Sequence, residues 1–125
     1  MPRILVLDDD RQVRTLIRLV LERAGYQVDE ASDGRTALEM QRSLPVDLLV
    51  ADILMPEVDG IEVIREFRRE FPKVRILAIS GGGLAYSGNY LDMARRAGAS
   101  HALGKPFEHE DLLAAVRELV GPATP

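Results

Sequence analysis

The chain has 125 residues, of which 46% are apolar and 29% are charged, and its formal net charge is −4. This size and composition suit one domain with one filled core. The absence of cysteine excludes disulfides, thiolate metal sites and cysteine nucleophiles, and the two histidines argue against a histidine-rich metal site. The negative charge argues against a general nucleic-acid-binding role. No apolar run is long enough to span a membrane, and we expect a cytoplasmic protein.

The first strand and helix are predicted at the start of the chain. Arg3–Leu7 is a short apolar run typical of a strand, and the acidic stretch Asp8–Asp10 follows it. From Arg11 the apolar residues recur at the spacing of one helix face. Asp10 is placed to cap this helix and Gly25 to end it.

A second strand and helix follow, and then a buried strand. Tyr26–Ala31 predicts a weaker strand, and Ser32 or Asp33 caps a helix that ends before Pro45. Leu48–Ala51 is then a wholly apolar run, which is typical of a strand covered on both faces. It ends in the carboxylate of Asp52, and a charge beside so much apolar sequence is costly unless something binds it.

The second half of the chain repeats the alternation. Ile61–Phe71 predicts a helix, Val74–Ile79 a strand that ends at Ser80, and Ser100–Gly104 a short fifth strand. Two more helices are predicted, one before Gly98 and one at the end of the chain. Five strands alternating with five helices predict an α/β fold: a doubly wound parallel sheet with helices on both faces.

Polar side chains gather at one edge of this predicted sheet. Right-handed crossovers bring every strand end to the same edge. Asp8 and Asp9 follow the first strand and Asp52 ends the third. Ser80 ends the fourth strand, and Lys105 follows the fifth. Three acids packed together repel one another. Oxygen ligands with room for water suit Mg²⁺, and no softer ligand is at hand.

A pocket of this kind suits a phosphoryl group, because phosphoryl transfer needs positioning and charge neutralisation more than covalent help. The metal would take one phosphoryl oxygen, Lys105 a second and the Ser80 hydroxyl a third. Asp52 is the best candidate for the nucleophile, since it is central among these residues.

Four motifs in order carry a resemblance to a known family. They are ILVLDDD at Ile4–Asp10, VADILMPEVDG at Val50–Gly60, ILAIS at Ile76–Ser80 and GKPF at Gly104–Phe107. Over roughly residues 3–120 the chain resembles the receiver domain of two-component response regulators. The resemblance implies the flavodoxin-like strand order 2-1-3-4-5, with a receiver domain over residues 1–121 and a C-terminal tail over 122–125.

The resemblance also implies roles for single residues. Asp52 matches the phosphoacceptor, Asp9 a direct Mg²⁺ ligand and Asp8 a ligand that acts largely through water. The backbone carbonyl of Leu54 would complete the metal ligands of the protein.

The remaining matched positions are Ser80, as the switch hydroxyl, and Lys105, with a cis bond to Pro106. A histidine kinase or a histidine phosphotransfer protein would donate the phosphoryl group. A downstream protein would bind the face formed by helix four, strand five and helix five.

The sequence departs from the family pattern in the expected transmission region. The usual switch aromatic of strand five falls at Ala102, so rotation of a ring cannot occur there. The segment between Ser80 and Lys105 is a few residues longer than usual and contains the glycines Gly81–Gly83. Rearrangement of this glycine loop is therefore a candidate for the transmission step.

We expect a stand-alone signalling switch rather than a metabolic enzyme, one that catalyses only its own phosphorylation and dephosphorylation. One alternative is a Mg²⁺-dependent phosphatase with an aspartyl-phosphate intermediate, although Leu54 stands where such enzymes carry a general acid. The other is an adaptor that works without phosphorylation. Arg11, Arg14 and Arg18 share one helix face, which favours a solvated surface, with a docking surface for a kinase as the alternative.

Overall fold

The structure is a computed structural model that describes residues 2–53, 60–80, 92–104 and 107–123, with Ser80 described through its backbone. The predictions for Leu54, for the Gly81–Gly83 loop, for Lys105 and for its bond to Pro106 lie outside these residues, as does the prediction for the Ser80 hydroxyl.

All five predicted strands and five predicted helices are found, and the strand ends differ from the prediction by at most one residue. The strands are β1 (Arg3–Leu7), β2 (Gln27–Ala31), β3 (Leu48–Asp52), β4 (Arg75–Ser80) and β5 (His101–Gly104). The helices are α1 (Arg11–Arg23), α2 (Gly34–Ser43), α3 (Gly60–Glu70), α4 (residues 92–97) and α5 (His109–Val120). Within the described ranges, no helix combines the length and the apolar character needed to cross a bilayer.

The five strands form one sheet in the order β2-β1-β3-β4-β5, and every neighbouring pair is parallel. The predicted fold class and strand order are therefore confirmed. Because all strands run the same way, their carboxyl ends lie along one edge of the sheet.

The sheet is covered on both faces, and β3 shows this most clearly because all five of its residues are buried. Leu49 and Ala51 belong to the core beneath α2, α3 and α4, whereas Leu48 and Val50 belong to the core beneath α1 and α5. Two helix layers on one central strand explain why that strand carries an unbroken apolar run.

Aspartates begin the first two helices. Asp10 caps α1 by accepting the amide N–H groups of Gln12 (2.9 Å) and Val13 (3.4 Å). Ser32 and Asp33 were the two predicted caps of α2. The structure shows that Asp33 is the cap, because its carboxylate accepts the Thr36 amide at 2.8 Å. Hydrogen bonds from Thr36 lower the pKa of Asp33, because they favour the charged carboxylate.

Arg68 joins the end of α3 to the end of α4. Its Nε and Nη2 donate to the carbonyl of Gly98 at 3.1 and 2.8 Å, and its Nη1 donates to the carbonyls of Pro72 and Val74, both at 2.8 Å. The three carbonyls lie in the segments that follow α3 and α4, so one guanidinium joins both segments. Gly98 has φ +127° and packs directly on this side chain.

The chain beyond α5 turns back onto the corner between α1 and β2. The Tyr26 hydroxyl donates to the carbonyl of Gly121 at 2.7 Å, and Ala123 is buried. A Cβ placed on Gly25 would lie 3.2 Å from the Cβ of Ala123. The described part of the predicted tail therefore packs on the domain.

Replacing Tyr26 with phenylalanine should lower the free energy of unfolding by about 1 kcal/mol near pH 8, because the bond to the Gly121 carbonyl is lost. Burial raises the pKa of Tyr26, and Arg117 opposes this rise. The contribution of Tyr26 is thus complete below the unfolded-state pKa of about 10 and is lost as the pH rises through the folded-state value.

Urea unfolding between pH 8 and pH 11 measures both effects. Tyr26→Phe should start less stable than the wild type and lose less stability above pH 10. Tyr90→Phe, which removes the same hydroxyl group elsewhere in the chain, is the control. An alkaline loss in Tyr26→Phe as large as that of the wild type would contradict the assignment.

Candidate functional site

The candidate site lies at the edge where β1, β3 and β4 end. Asp8 and Asp9 follow β1, Asp52 is the last residue of β3, and Ser80 is the last residue of β4. The register pairs Asp52 with Ile79, one residue before Ser80. The parallel order of these strands therefore brings the predicted positions together.

The three acids form one cluster. Each of Asp8, Asp9 and Asp52 offers a carboxylate oxygen, and these oxygens all lie within 4.8 Å of one another. Asp8 is 2% exposed and Asp52 is 8% exposed, whereas Asp9 is exposed. Like charges this close repel one another, so a bound cation would stabilise the cluster.

The donor set fits a hard divalent cation. The ligand atoms are oxygens, which Mg²⁺ and Ca²⁺ prefer over nitrogen and sulfur. Asp9 is the exposed member of the cluster, whereas Asp8 and Asp52 are buried. Asp8, Asp9 and Asp52 are the described residues that would hold the ion.

The turn that carries two of these acids is held by hydrogen bonds. Oδ1 of Asp8 accepts the Asp10 amide at 2.9 Å, and the Asp8 amide donates to the carbonyl of Ala31 in β2 at 3.3 Å. Nη1 of Arg14 donates to the Asp8 carbonyl at 2.9 Å. The turn is thus fixed from α1 and from β2 at the same time.

The role of Arg14 was missed from the sequence, where it is one of three arginines on a face predicted to be solvated. Only 15% of its side chain is exposed, and both Arg14 and Arg18 are paired with Glu30 of β2. The solvated face is therefore the wrong prediction for Arg14, because β2 supplies an acid against this side of α1. Arg11 is exposed, as predicted.

Gly60 lets α3 start against the end of β3. A Cβ on Gly60 would lie 2.4 Å from the Cα of Ile53 and 2.7 Å from the carbonyl oxygen of Asp52. The Ile53 amide also donates to the carbonyl of Ile79 at 3.0 Å. The backbone that presents Asp52 is therefore enclosed between β4 and the first turn of α3.

The end of β5 completes the described edge. Ser80 pairs with Gly104, the last residue of β5, and Lys105 is the next residue in the chain. Ala102 is 8% exposed, pairs with Ala78, and belongs to the core beneath α3 and α4. The position of the expected aromatic is therefore occupied by a small residue within the core.

Comparison with known proteins agrees with this architecture. The family model for the response regulator receiver domain matches residues 4–117. The response regulator MprA of Mycolicibacterium vanbaalenii is 42% identical over 124 residues, which are 98% of this chain and 52% of that protein. MprA of Mycobacterium ulcerans is 44% identical over 94% of this chain and 50% of that protein. The chain thus spans about half the length of these relatives.

Solved structures show the same fold. The receiver domain of NtrX from Brucella abortus superposes with a TM-score of 0.87 at 27% identity, covering 94% of this chain and 97% of that one. The chemotaxis protein CheY4 of Vibrio cholerae gives a TM-score of 0.86 at 29% identity, with 96% and 99% coverage. The sequence match along nearly the whole chain and the shared fold show that this chain belongs to the response regulator receiver domain family of two-component systems.

Proposed function

We propose that the chain is a phosphorylation-dependent signalling switch that accepts a phosphoryl group on Asp52 while Mg²⁺ is bound at the acidic cluster. The observation that carries the proposal is the convergence of Asp8, Asp9 and Asp52. Asp52 ends the middle strand of the sheet. A nucleophile at this position has the end of β1 on one side and the end of β4 on the other.

The proposed donor is a phosphohistidine of a histidine kinase or of a histidine phosphotransfer protein. A carboxylate oxygen of Asp52 attacks the phosphorus, and the new P–O bond forms as the P–N bond breaks. The imidazole leaves with the electron pair of that bond and takes up a proton. The net change is an acyl phosphate on Asp52 and a neutral histidine on the donor.

The other residues of the edge assist by position and charge. Asp8 and Asp9 would hold Mg²⁺ together with Asp52 and the carbonyl of Leu54. The ion, when bound, would neutralise charge on the transferring phosphoryl group. The ammonium group of Lys105 and the hydroxyl of Ser80 would contact the remaining phosphoryl oxygens.

The output is proposed to be a change of surface rather than a metabolic product. The acyl phosphate adds charge and acceptor oxygens, which favour the conformation in which Ser80 and Lys105 contact them. We propose that a downstream protein binds the face formed by α4, β5 and α5 in the cytoplasm. Met93 of α4 is an exposed apolar side chain that suits such a contact.

Intact mass after incubation with Mg²⁺ and a small phosphodonor tests the proposal. An acyl phosphate and a phosphoramidate should each add one phosphoryl group to the wild type, and EDTA or Asp52→Asn should abolish the addition. Asp47→Asn is the matched control, because Asp47 accepts the Arg3 amide away from the acidic cluster. No uptake with either donor would overturn the proposal in favour of the adaptor, and full uptake in Asp52→Asn would overturn Asp52 as the phosphoacceptor.

A further inference from the structure

Arg14 links the acidic turn to β2 through one guanidinium group. Its Nη1 donates to the carbonyl oxygen of Asp8 at 2.9 Å, and its Nε donates to Oε1 of Glu30 at 2.9 Å. The side chain is 15% exposed. A planar guanidinium with fixed donor directions can hold a carbonyl and a carboxylate in one relative position.

Glu30 is itself held in place. Its second oxygen, Oε2, accepts Nε of Arg18, and Nη1 of Arg18 donates to Oε1 of Glu22 at 2.8 Å. The register pairs Glu30 with Val6, two residues before Asp8. A chain of four alternating charges therefore runs from the helix surface to the backbone of the acidic turn.

We infer that Arg14 is a positioning residue for the metal site, which it serves by fixing the path of the turn that carries Asp8 and Asp9. The inference rests on the proposed Mg²⁺ site. Arg14 contacts the backbone of the turn, and the three carboxylates converge only if this backbone keeps its path. The side chain of Arg14 stays outside the described ligand set.

The direction in which Mg²⁺ affinity changes distinguishes a positioning role from a purely electrostatic one. Arg14 is a cation near a site for a cation, so its removal would tighten Mg²⁺ binding if long-range charge were its only effect. Its removal would weaken Mg²⁺ binding if it positions the turn. Arg18 has the same charge and shares the partner Glu30, but its second bond is to Glu22 rather than to the Asp8 carbonyl.

The experiment compares Arg14→Met with Arg18→Met in the full chain without any phosphodonor. Mg²⁺ affinity is measured by titration of backbone amide signals, under conditions where urea unfolding shows both variants to be folded. We expect Arg14→Met to raise the dissociation constant about five- to tenfold, as the loss of one hydrogen bond of ordinary net strength predicts. Arg18→Met should change it much less, because the described bonds of Arg18 reach the turn through Glu30. Arg14→Lys should restore part of the affinity, because an ammonium group can reach only one of the two acceptors at a time.

A second measurement needs no metal. The Asp10 amide is bonded to Oδ1 of Asp8, so a loosened turn should speed its hydrogen exchange and shift the Asp9 and Asp10 amide signals in Arg14→Met. Arg18→Met should leave these signals near their wild-type positions. If Arg14→Met does not fold, the same signals are followed in Glu30→Gln, which keeps the shape of the acceptor but weakens its hold on Arg14.

Failure of the positioning role of Arg14 can be distinguished from failure of the proposed function. Unchanged or tighter Mg²⁺ binding in folded Arg14→Met, or equal amide shifts in the two arginine variants, would overturn the positioning role. If the wild type binds Mg²⁺ but Asp52 takes no phosphoryl group, the proposed function fails while the comparison of dissociation constants still decides the role of Arg14. If the wild type binds no Mg²⁺, the role of Arg14 at a metal site fails, and the amide signals of the metal-free protein decide only whether Arg14 holds the turn.

Discussion

Replacing Gly60 with alanine should lower the free energy of unfolding by about 2–4 kcal/mol, an effect in the upper range for overpacking. The added Cβ would lie 2.4 Å from the Cα of Ile53 and 2.7 Å from the carbonyl oxygen of Asp52. Both obstacles are backbone atoms, so relief requires α3 or the end of β3 to move. The same movement would displace Asp52, so we also expect slower phosphoryl uptake.

Gly34→Ala is the matched control. Gly34 and Gly60 are each the first residue of a helix, so both changes carry a similar gain in helix propensity. A Cβ on Gly34 would lie 2.4 Å from Cγ2 of Val63, which is a side-chain atom. The double variant Gly34→Ala, Val63→Ala should therefore be more stable than the sum of its single changes predicts.

Urea unfolding and the rate of phosphoryl uptake measure the comparison. Truncation of a side chain cannot relieve Gly60→Ala, since its obstacles belong to the backbone. Gly34→Ala should change stability while leaving the uptake rate near that of the wild type. A Gly60→Ala protein as stable as the wild type would show that α3 has freedom to shift, against the close contact observed.

The location of the site could be predicted because it depends on order along the chain. Once strands and helices alternate, right-handed crossovers place all strand ends at one edge. Asp8, Asp9 and Asp52 then meet wherever the strand order makes β1 and β3 neighbours, as it does. The burial of β3 on both faces was readable for a related reason, because its apolar run has no polar interruption.

The roles of Arg14 and Gly60 in holding the site could not be predicted, because they depend on contacts between segments that are distant in the sequence. Arg14 has the spacing of a solvated helix face, and it is held against the domain by Glu30 of β2 and by the Asp8 carbonyl. Gly60 looks like a turn residue, and its contact with the backbone of Ile53 becomes visible only when α3 is packed. In both cases the local pattern is compatible with two environments.

Ala102 stands where the family usually has the switch aromatic of the fifth strand. The departure was found in the sequence, and the structure pairs Ala102 with Ala78 in the core that also contains Ala94. Ala102 carries no ring that could rotate at this position. Any signal that passes from Asp52 to the face formed by α4, β5 and α5 therefore has to use movement of the backbone or of other side chains.

Magnesium should raise the free energy of unfolding of the wild type, by about 1.4 kcal/mol at ten times the dissociation constant and about 2.7 kcal/mol at a hundred times. The free energy of unfolding rises because the three carboxylates converge only in the folded chain, so the ion binds that state. Asp9→Asn should lose most of this rise. In EDTA, Asp9→Asn should be at least as stable as the wild type, because Asp9 is exposed and its replacement removes repulsion without opening a cavity.

Urea unfolding in MgCl₂, and in EDTA with NaCl at matched ionic strength, isolates specific binding from general screening. Asp29→Asn is the control, because Asp29 carries the same charge but pairs with Arg3 in the neighbouring strand. It should keep the full response to magnesium while losing a little stability in both buffers. A full magnesium response in Asp9→Asn would remove Asp9 from the ligand set. No response in the wild type would remove the metal from the proposed mechanism and leave the repulsion among the three acids to be balanced by other means.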